Sequence, residues 1–402
     1  VISSKDSEML PLAVLSHIFP PSPSGQAVIL YRLFKDWNSR DYFLLASRNL
    51  DVKTKKNELL PKMPAQYYYI ESRMSLWGSS RIHFLDIANI FLQLLHRIRS
   101  IMHIIRNNKC SAIMACSGDL YDLPAGFFAS RWARVPFCAY IFDDYLYQWT
   151  RGTHRFFARC IEPIMLRRAA AVIVPNEFLR DEYYRRYKID STVIHNSCGS
   201  AHIKNNSNVP WPSNTKEIKI VYTGAIYHAH FDAFRNLIAA IKLLNRQNVR
   251  LHLYTAQTRK ELEREGIVGP IVYHRHMSPS FISVVQKEAD ILFLSLAFNS
   301  TISEVIKTSS PAKMGEYLTS GRPILVHAPV DSFISWYFKK YKCGIVVQHN
   351  KAKMIAKAIQ RIMSDSAIRK QLVDNAMNRS LVDFSIESAQ SIFFKLFKKM
   401  VS

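Results

Sequence analysis

Several familiar devices are missing from this 402-residue chain. Its six cysteines, at 110, 116, 138, 160, 198 and 343, include no C-x-x-C and no spacing paired with histidine. That pattern disfavours a zinc site and fits free thiols in a reducing cytoplasm. No apolar run reaches the roughly 18–20 residues that a bilayer crossing needs, and no low-complexity tract marks a long disordered region. The visible start, VISSKDSEMLPLAVLSHIF, has no basic segment followed by a cleavable apolar one, so nothing in it reads as a secretion signal. The G-x-G-x-x-G fingerprint and the G-K-[ST] of a Walker A loop are absent as well. Acidic residues are scarce, 31 against 54 Lys and Arg, a formal charge of +23. Such an excess suggests a polyanionic partner: nucleic acid, an anionic membrane surface or phosphorylated substrates. The basic residues are dispersed and no recognition motif accompanies them, which makes specific nucleic-acid binding the weakest of these readings.

What is present is alternation. The length favours two domains, and a hydrophobic fraction of 48% is enough to build their cores. Short apolar runs, β-branched and aromatic, recur at 12–19, 42–47, 66–72, 111–118, 136–144, 170–176 and 191–197, with helical patterns between most of them. A polar stretch rich in Asn, Ser and Pro, 198–217, reads as a linker. A second series follows at 218–225, 249–256, 270–276, 290–298, 322–329 and 343–349, and the chain closes in helices. Strands buried on both faces and alternating with helices predict an α/β fold of two Rossmann-like, doubly wound domains facing a central cleft. The expected division is 1–199, 200–380 and a closing segment, 381–402.

In such sheets ligands sit beyond the carboxyl ends of the strands, so the loops there carry the candidate chemistry. Gly25, in FPPSPSGQAVILYRLF, opens a helix after the first strand; it is either a structural turn or a place where backbone N–H groups approach a phosphate. Gly224 holds the equivalent position in the second domain, with Asp232 expected to cap the following helix and Arg235 one turn into it. In VYHRHMSPSF, His274 and His276 have the spacing of a strand chelate without a third ligand, and Arg275 suits a loop touching a nucleotide base. Asp143 and Asp144, at a strand end in YIFDDYLYQW, offer adjacent carboxylates that could hold Mg²⁺, supply a base or charge stabiliser, or cap and be solvated.

Residues 308–329, TSSPAKMGEYLTSGRPILVHAP, read as strand–helix–strand. Ser309 and Ser310 lead into Pro311 at the first helical position, with Lys313 and Glu316 following. Capping explains Ser310 and Pro311. It does not explain Lys313 in a first turn, where the helix dipole disfavours a cation. An anion site does: the helix start and Lys313 would meet a diphosphate, and Glu316 would accept the hydroxyls of a ribose.

This segment resembles the donor site of retaining glycosyltransferases of the GT-B fold, glycosyltransferase family 4, in which many members carry sP-x-K-x-x-E-Y-x-x-x-G-x-P-i-l. The resemblance extends to the Gly25 loop, 166–183, the YTGAIY turn, KEADILFLS and the closing helices. It implies that Lys313 contacts the donor diphosphate and Glu316 the ribose. Gly25 would leave room for diphosphate and sugar, Gly224 would close the cleft, and the last helix would cross back to the first domain. Three positions depart from the family form. Thr308 replaces the first of two glutamates with seven residues between them, Phe142 stands where a histidine often precedes Asp143, and histidines replace the Arg and Lys near 226–231.

The expectation is sugar transfer from a nucleotide-sugar donor, UDP- or GDP-linked, to an acceptor hydroxyl with retained configuration, without a metal or other cofactor. Lys313 and Asp143 are the catalytic candidates; Gly25, Gly224, Arg275, Ser309, Ser310, Lys313 and Glu316 are the donor-binding ones. The helical pattern 81–109, ending in Arg97, Arg99, Arg106 and Lys109, is either a core helix with a dipole-matched end or a docking element for anionic lipid. With the charge excess it suggests a cytoplasmic enzyme at the inner face of the membrane, acting on a lipid-linked or growing surface glycan. A nucleotide-sugar epimerase and a non-catalytic nucleotide-binding scaffold are the rivals.

Overall fold

The computed structural model describes residues 11–47, 60–70, 83–199, 211–212, 216–275 and 277–402. It divides into two compact units, one reaching Ile194 and including Gln390–Ser402, the other spanning His195–Ala389. The start of the chain and most of the polar stretch after Cys198 lie outside the described residues.

The first unit is a parallel seven-stranded sheet. Its strands are β1 (Leu12–Ser16), β2 (Tyr42–Ser47), β3 (Gln66–Ile70), β4 (Ala112–Cys116), β5 (Phe137–Tyr140), β6 (Ala171–Val174) and β7 (Thr192–Val193). They run in the order β3-β2-β1-β4-β5-β6-β7. Helices α1 (Gly25–Phe34), α2 (His83–Asn107), α3 (Asp122–Ala133), α4 (Gly152–Arg168) and α5 (Glu177–Tyr187) join them. The second unit is a parallel six-stranded sheet, β10-β9-β8-β11-β12-β13. Its strands are β8 (Ile218–Thr223), β9 (Val249–Tyr254), β10 (Ile271–His274), β11 (Ile291–Ser295), β12 (Ile324–His327) and β13 (Ile345–Val347). Its helices are α6 (Phe231–Leu243), α7 (Arg259–Arg264), α8 (Pro279–Lys287), α9 (Ser303–Thr308), α10 (Lys313–Thr319), α11 (Phe333–Tyr341), α12 (Ala352–Ser364) and α13 (Ser366–Asp383). Helix α14 (Ile386–Val401) closes the chain.

Every apolar run read as a strand is one, because runs such as Leu12–Leu15 and Ile291–Leu294 are buried on both faces. In each sheet the order reverses beside the first strand of its unit, at β1/β4 and β8/β11, which makes the carboxyl ends there the switch points where such folds place ligands.

The 308–329 segment differs from its reading. Thr308 ends helix α9, and the next helix begins two residues later than Pro311, with Ala312 as its cap and Lys313 as its first residue. Asn196 Nδ2 donates to the Ser310 carbonyl at 2.7 Å, just before the helix. Met314 N donates to Pro311 O at 2.9 Å.

In the first unit the segment from Gln390 onward is held by aromatic packing. Phe393 is buried against Phe34 and Trp37, with ring centroids 5.3 and 5.6 Å away, and Phe397 also meets Trp37. Phe393→Ala should lower unfolding free energy in urea by about 3–5 kcal/mol through lost burial and a cavity. Lys395→Ala, on the exposed side, should change it by no more than about 0.5 kcal/mol.

Candidate active site

In the second unit β8 ends at Thr223 and the chain turns at Gly224 with φ +119°, a conformation that side chains disfavour. A β-carbon there would fall 3.1 Å from Lys313 Nζ, so the lysine lies directly against the bare glycine. Lys313 Nζ donates to the Tyr222 hydroxyl at 2.5 Å and sits 3.8 Å from the centre of that ring. Enclosure penalises the ammonium and pushes its pKa down to about 7, with Glu316 pulling weakly the other way.

Glu316 lies on the next turn. Gln286, from α8, donates through Nε2 to the Glu316 carboxylate at 3.2 Å and to Thr223 Oγ1 at 3.0 Å. Thr223 N donates to the Tyr317 hydroxyl at 3.0 Å. Adjacent residues of α10 are therefore both fastened to the carboxyl end of β8. The structure brings together Gly224, Lys313 and Glu316, and adds Tyr222, Thr223, Gln286 and Tyr317, which the sequence reading missed. Tyr222 lies within β8 and Tyr317 within α10, and their contacts are long-range, so no local pattern signalled them.

The other second-unit candidates fare differently. The Ser310 hydroxyl is buried without a hydrogen-bond partner, while its carbonyl takes the Asn196 bond. Ser309 caps the carboxyl end of α9 and opens no helix. Since α10 has seven residues and starts at Lys313, the expected Ser310–Pro311 helix start is absent. Thr308 Oγ1 donates to Glu304 O, within its own helix, at 3.3 Å.

Asp232 does not cap its helix. Its carboxylate accepts from Phe298 N and Asn299 N at 2.9 and 2.8 Å and ties the loop after β11. Arg235 donates to Glu265 O on the exposed side. The histidines at 226–231 include His230, buried with Nδ1 3.0 Å from Ser295 O. Burial and the Lys313 charge push its pKa down to about 3. Arg275 is exposed just past β10, and His276 lies outside the described residues. His274 stacks on Tyr254 at 4.1 Å and meets His252 Nδ1 at 3.1 Å.

In the first unit the carboxyl ends of β1, β4 and β5 form one polar rim. Gly25 is the first residue of α1, whose cap is Ser24, and Gln26 donates to Ser16 Oγ at 2.8 Å. The His17 ring lies on Gly118, where a β-carbon would fall 2.0 Å from His17 Cε1, so glycine is demanded there too. Phe142 N donates to Ser117 Oγ at 2.8 Å and places Asp143 beside this rim. Burial, then the neighbouring Asp144 charge, pushes the Asp143 carboxyl up to about 6.

Asp144 is no partner for Asp143 in chelation. It is buried and paired with Arg186, which also reaches Glu162 at 3.4 Å. Tyr183 donates to Glu162 at 3.0 Å, and Tyr187 donates to it as well. Burial and Asp144 raise Glu162 to about 7. Arg97, read as part of a basic helix end, is likewise buried and paired with Asp119 and Asp122. No group of three or more His, Cys, Asp or Glu among the described residues is placed to hold a metal ion.

Two pH-dependent outcomes follow from these shifts. Between about pH 7 and the ordinary lysine value the unfolded chain binds more protons at position 313 than the folded one. The stability of wild type minus that of Lys313→Met should therefore rise with pH over that window, read from urea midpoints at matched pH. Arg186→Leu strands two buried carboxylates and should cost about 3–5 kcal/mol near pH 8. Its folded state then holds protons that the unfolded state releases, so the loss should shrink toward pH 5.

Residues 217–365 match the family described as Glycosyl transferases group 1, a span that contains Gly224, Arg275, Ser309, Ser310, Lys313 and Glu316. No curated protein matches the chain by sequence. Solved structures do match by shape. Sucrose-phosphate synthase from Thermosynechococcus elongatus aligns with TM-score 0.69 at 14% identity over 97% of this chain and 98% of that one. Anabaena Alr3699/HepE in complex with UDP-glucose gives 0.69 at 14% over 96% and 99%. A glycosyltransferase from Rickettsia africae ESF-5 gives 0.67 at 13% over 98% and 100%. The chain has the GT-B fold, two Rossmann-like α/β units, and its second unit carries the sequence match to group 1 glycosyl transferases.

Proposed function

We propose that this protein is a retaining glycosyltransferase, metal-independent, that moves a sugar from a nucleoside diphosphate sugar to an acceptor hydroxyl. The observation that carries the reading is Lys313 held against Gly224 and Tyr222, within a segment matching group 1 glycosyl transferases. An enclosed ammonium lacking a full counter-charge gains most from an anion, and a departing diphosphate is the anion this chemistry produces. Binding would draw Lys313 off the Tyr222 hydroxyl and restore its charge. Glu316, oriented by Gln286, would take the ribose hydroxyls, and Arg275 would lie near the base. The UDP-glucose in the Anabaena structure supports a nucleotide-sugar donor.

As the sugar becomes oxocarbenium-like, negative charge grows on the diphosphate, where Lys313 and backbone N–H groups meet it without a metal. Attack from the same face retains configuration, with the leaving phosphate accepting the hydroxyl proton. Asp143, with its raised pKa, would stabilise charge near the acceptor. The acceptor in this reading is a lipid-linked or surface glycan, met by a cytoplasmic protein at an anionic membrane. All six cysteines are free thiols, which agrees with a reducing compartment. No helix of the described residues is long and apolar enough to cross a membrane.

Thermal shifts with UDP, GDP, ADP and CMP test the site. One nucleoside diphosphate should raise the melting temperature of wild type, by about 2.7 kcal/mol of stabilisation at a hundredfold excess over Kd. Lys313→Ala should lose most of that shift. No shift with any of them, or an equal shift in the variant, contradicts the assignment.

A further inference from the structure

The first unit exposes a surface that the proposed sugar transfer does not use. Helix α4 buries Ala158, Ile161, Met165 and Leu166 in the core of the first unit. Its opposite side exposes Phe156, Cys160 and Ile164, spaced by four, with Phe156 62% and Ile164 42% accessible. Beside this stripe Arg155, Arg159, Arg167 and Arg168 are exposed, and Arg151 precedes the helix. The single carboxylate of α4, Glu162, is buried in the Arg186 network and does not offset them. Helix α2 extends the patch: Phe91 meets Phe157 of α4 at 6.4 Å, and Phe91 and Leu95 are both exposed. Half-buried Asp86 of α2 lies close enough to act on His154 of α4, as does Arg151.

We infer that this α4 face, with Phe91 and Leu95 of α2, docks the protein on an anionic lipid bilayer. This rests on the membrane-surface reading above and names the element that performs it. It also moves the contact away from Arg97, whose guanidinium is sequestered by Asp119 and Asp122. Guanidinium groups pair with lipid phosphates, and each basic residue near such a surface adds attraction that salt screens. The interleaved apolar row fits partial burial at the headgroup boundary. A nucleic acid would satisfy the arginines and can stack a base on Phe156, but it would leave Ile164 and Leu95 in water, so the combination favours a bilayer.

Cys160 supplies a native probe, because the other five cysteines are buried. The experiment is co-sedimentation with phosphatidylcholine vesicles, with and without phosphatidylglycerol, at low and high salt. It is paired with fluorescence of an environment-sensitive label on Cys160. Wild type should pellet only with the anionic vesicles at low salt, and the label should shift to the blue. Arg155→Glu/Arg159→Glu and Phe156→Ser/Ile164→Ser should each bind at least about tenfold more weakly. Both should keep the wild-type melting temperature and nucleotide-diphosphate shift, which separates this surface from the donor site.

The inference fails if wild type does not pellet, or if the label does not respond in pelleted protein. Equal binding by the two α4 variants, with loss only in Arg99→Glu/Arg106→Glu, also overturns it. Preference for a single-stranded oligonucleotide over anionic vesicles would overturn it as well. Loss of the nucleotide shift in wild type would instead strike the donor-site reading and leave vesicle binding standing.

Discussion

An ammonium group pressed between a glycine and a tyrosine, with no carboxylate bonded to it, sets the terms for the second unit's site. Lys313 can occupy that place only because Gly224 lacks a side chain and turns with positive φ. It stays there because Tyr222 offers both a ring face and a hydroxyl. The surroundings are arranged around this charge. His230 is held neutral as a donor to Ser295, avoiding a second cation. Gln286 orients Glu316 on the neighbouring turn, near enough to favour the ammonium slightly and not bonded to it. Glu316, Gln286 and His230 are thus held in place around the lysine without a bound anion.

The first unit shows the same economy at the same end of its sheet. Carboxyl groups there are raised by burial and then by a neighbouring carboxylate: Asp143 to about 6 and Glu162 to about 7 by Asp144, and Asp122 to about 8 by Asp119. Arg97 pairs with Asp122 and Arg186 with Asp144, so two of these clusters hold a counter-charge. Arg186 in particular joins the loop after β5 to helices α4 and α5, so the position of Asp143 depends on a side chain 43 positions further along the chain.

The strands were legible because both sheets are parallel and central runs such as β1, β4, β6 and β11 are buried throughout. Lys313 and Glu316 were legible because a lysine in a first turn contradicts the helix dipole and calls for another reason. Distance in sequence hid the rest. Tyr222 and Lys313 are separated by 91 positions, and Asn196 by 114 from the Ser310 carbonyl that it bonds. No local pattern encodes those bonds. Asp232 misled because Asp near a helix start has two uses, capping its own helix or tying a neighbouring loop, and only tertiary packing chose the second. The basic end of α2 misled in the same way, since the carboxylates that claim Arg97 sit at 119 and 122.

The most direct measurement is the proton count of nucleoside diphosphate binding, by calorimetry at pH 8.5 in buffers of differing ionisation enthalpy. If Lys313 is largely neutral in the empty site and charged beneath a diphosphate, binding should take up close to one proton per ligand. The uptake should fall toward zero in Lys313→Met. Binding with no proton uptake in wild type, or with the same uptake in the variant, would contradict the account.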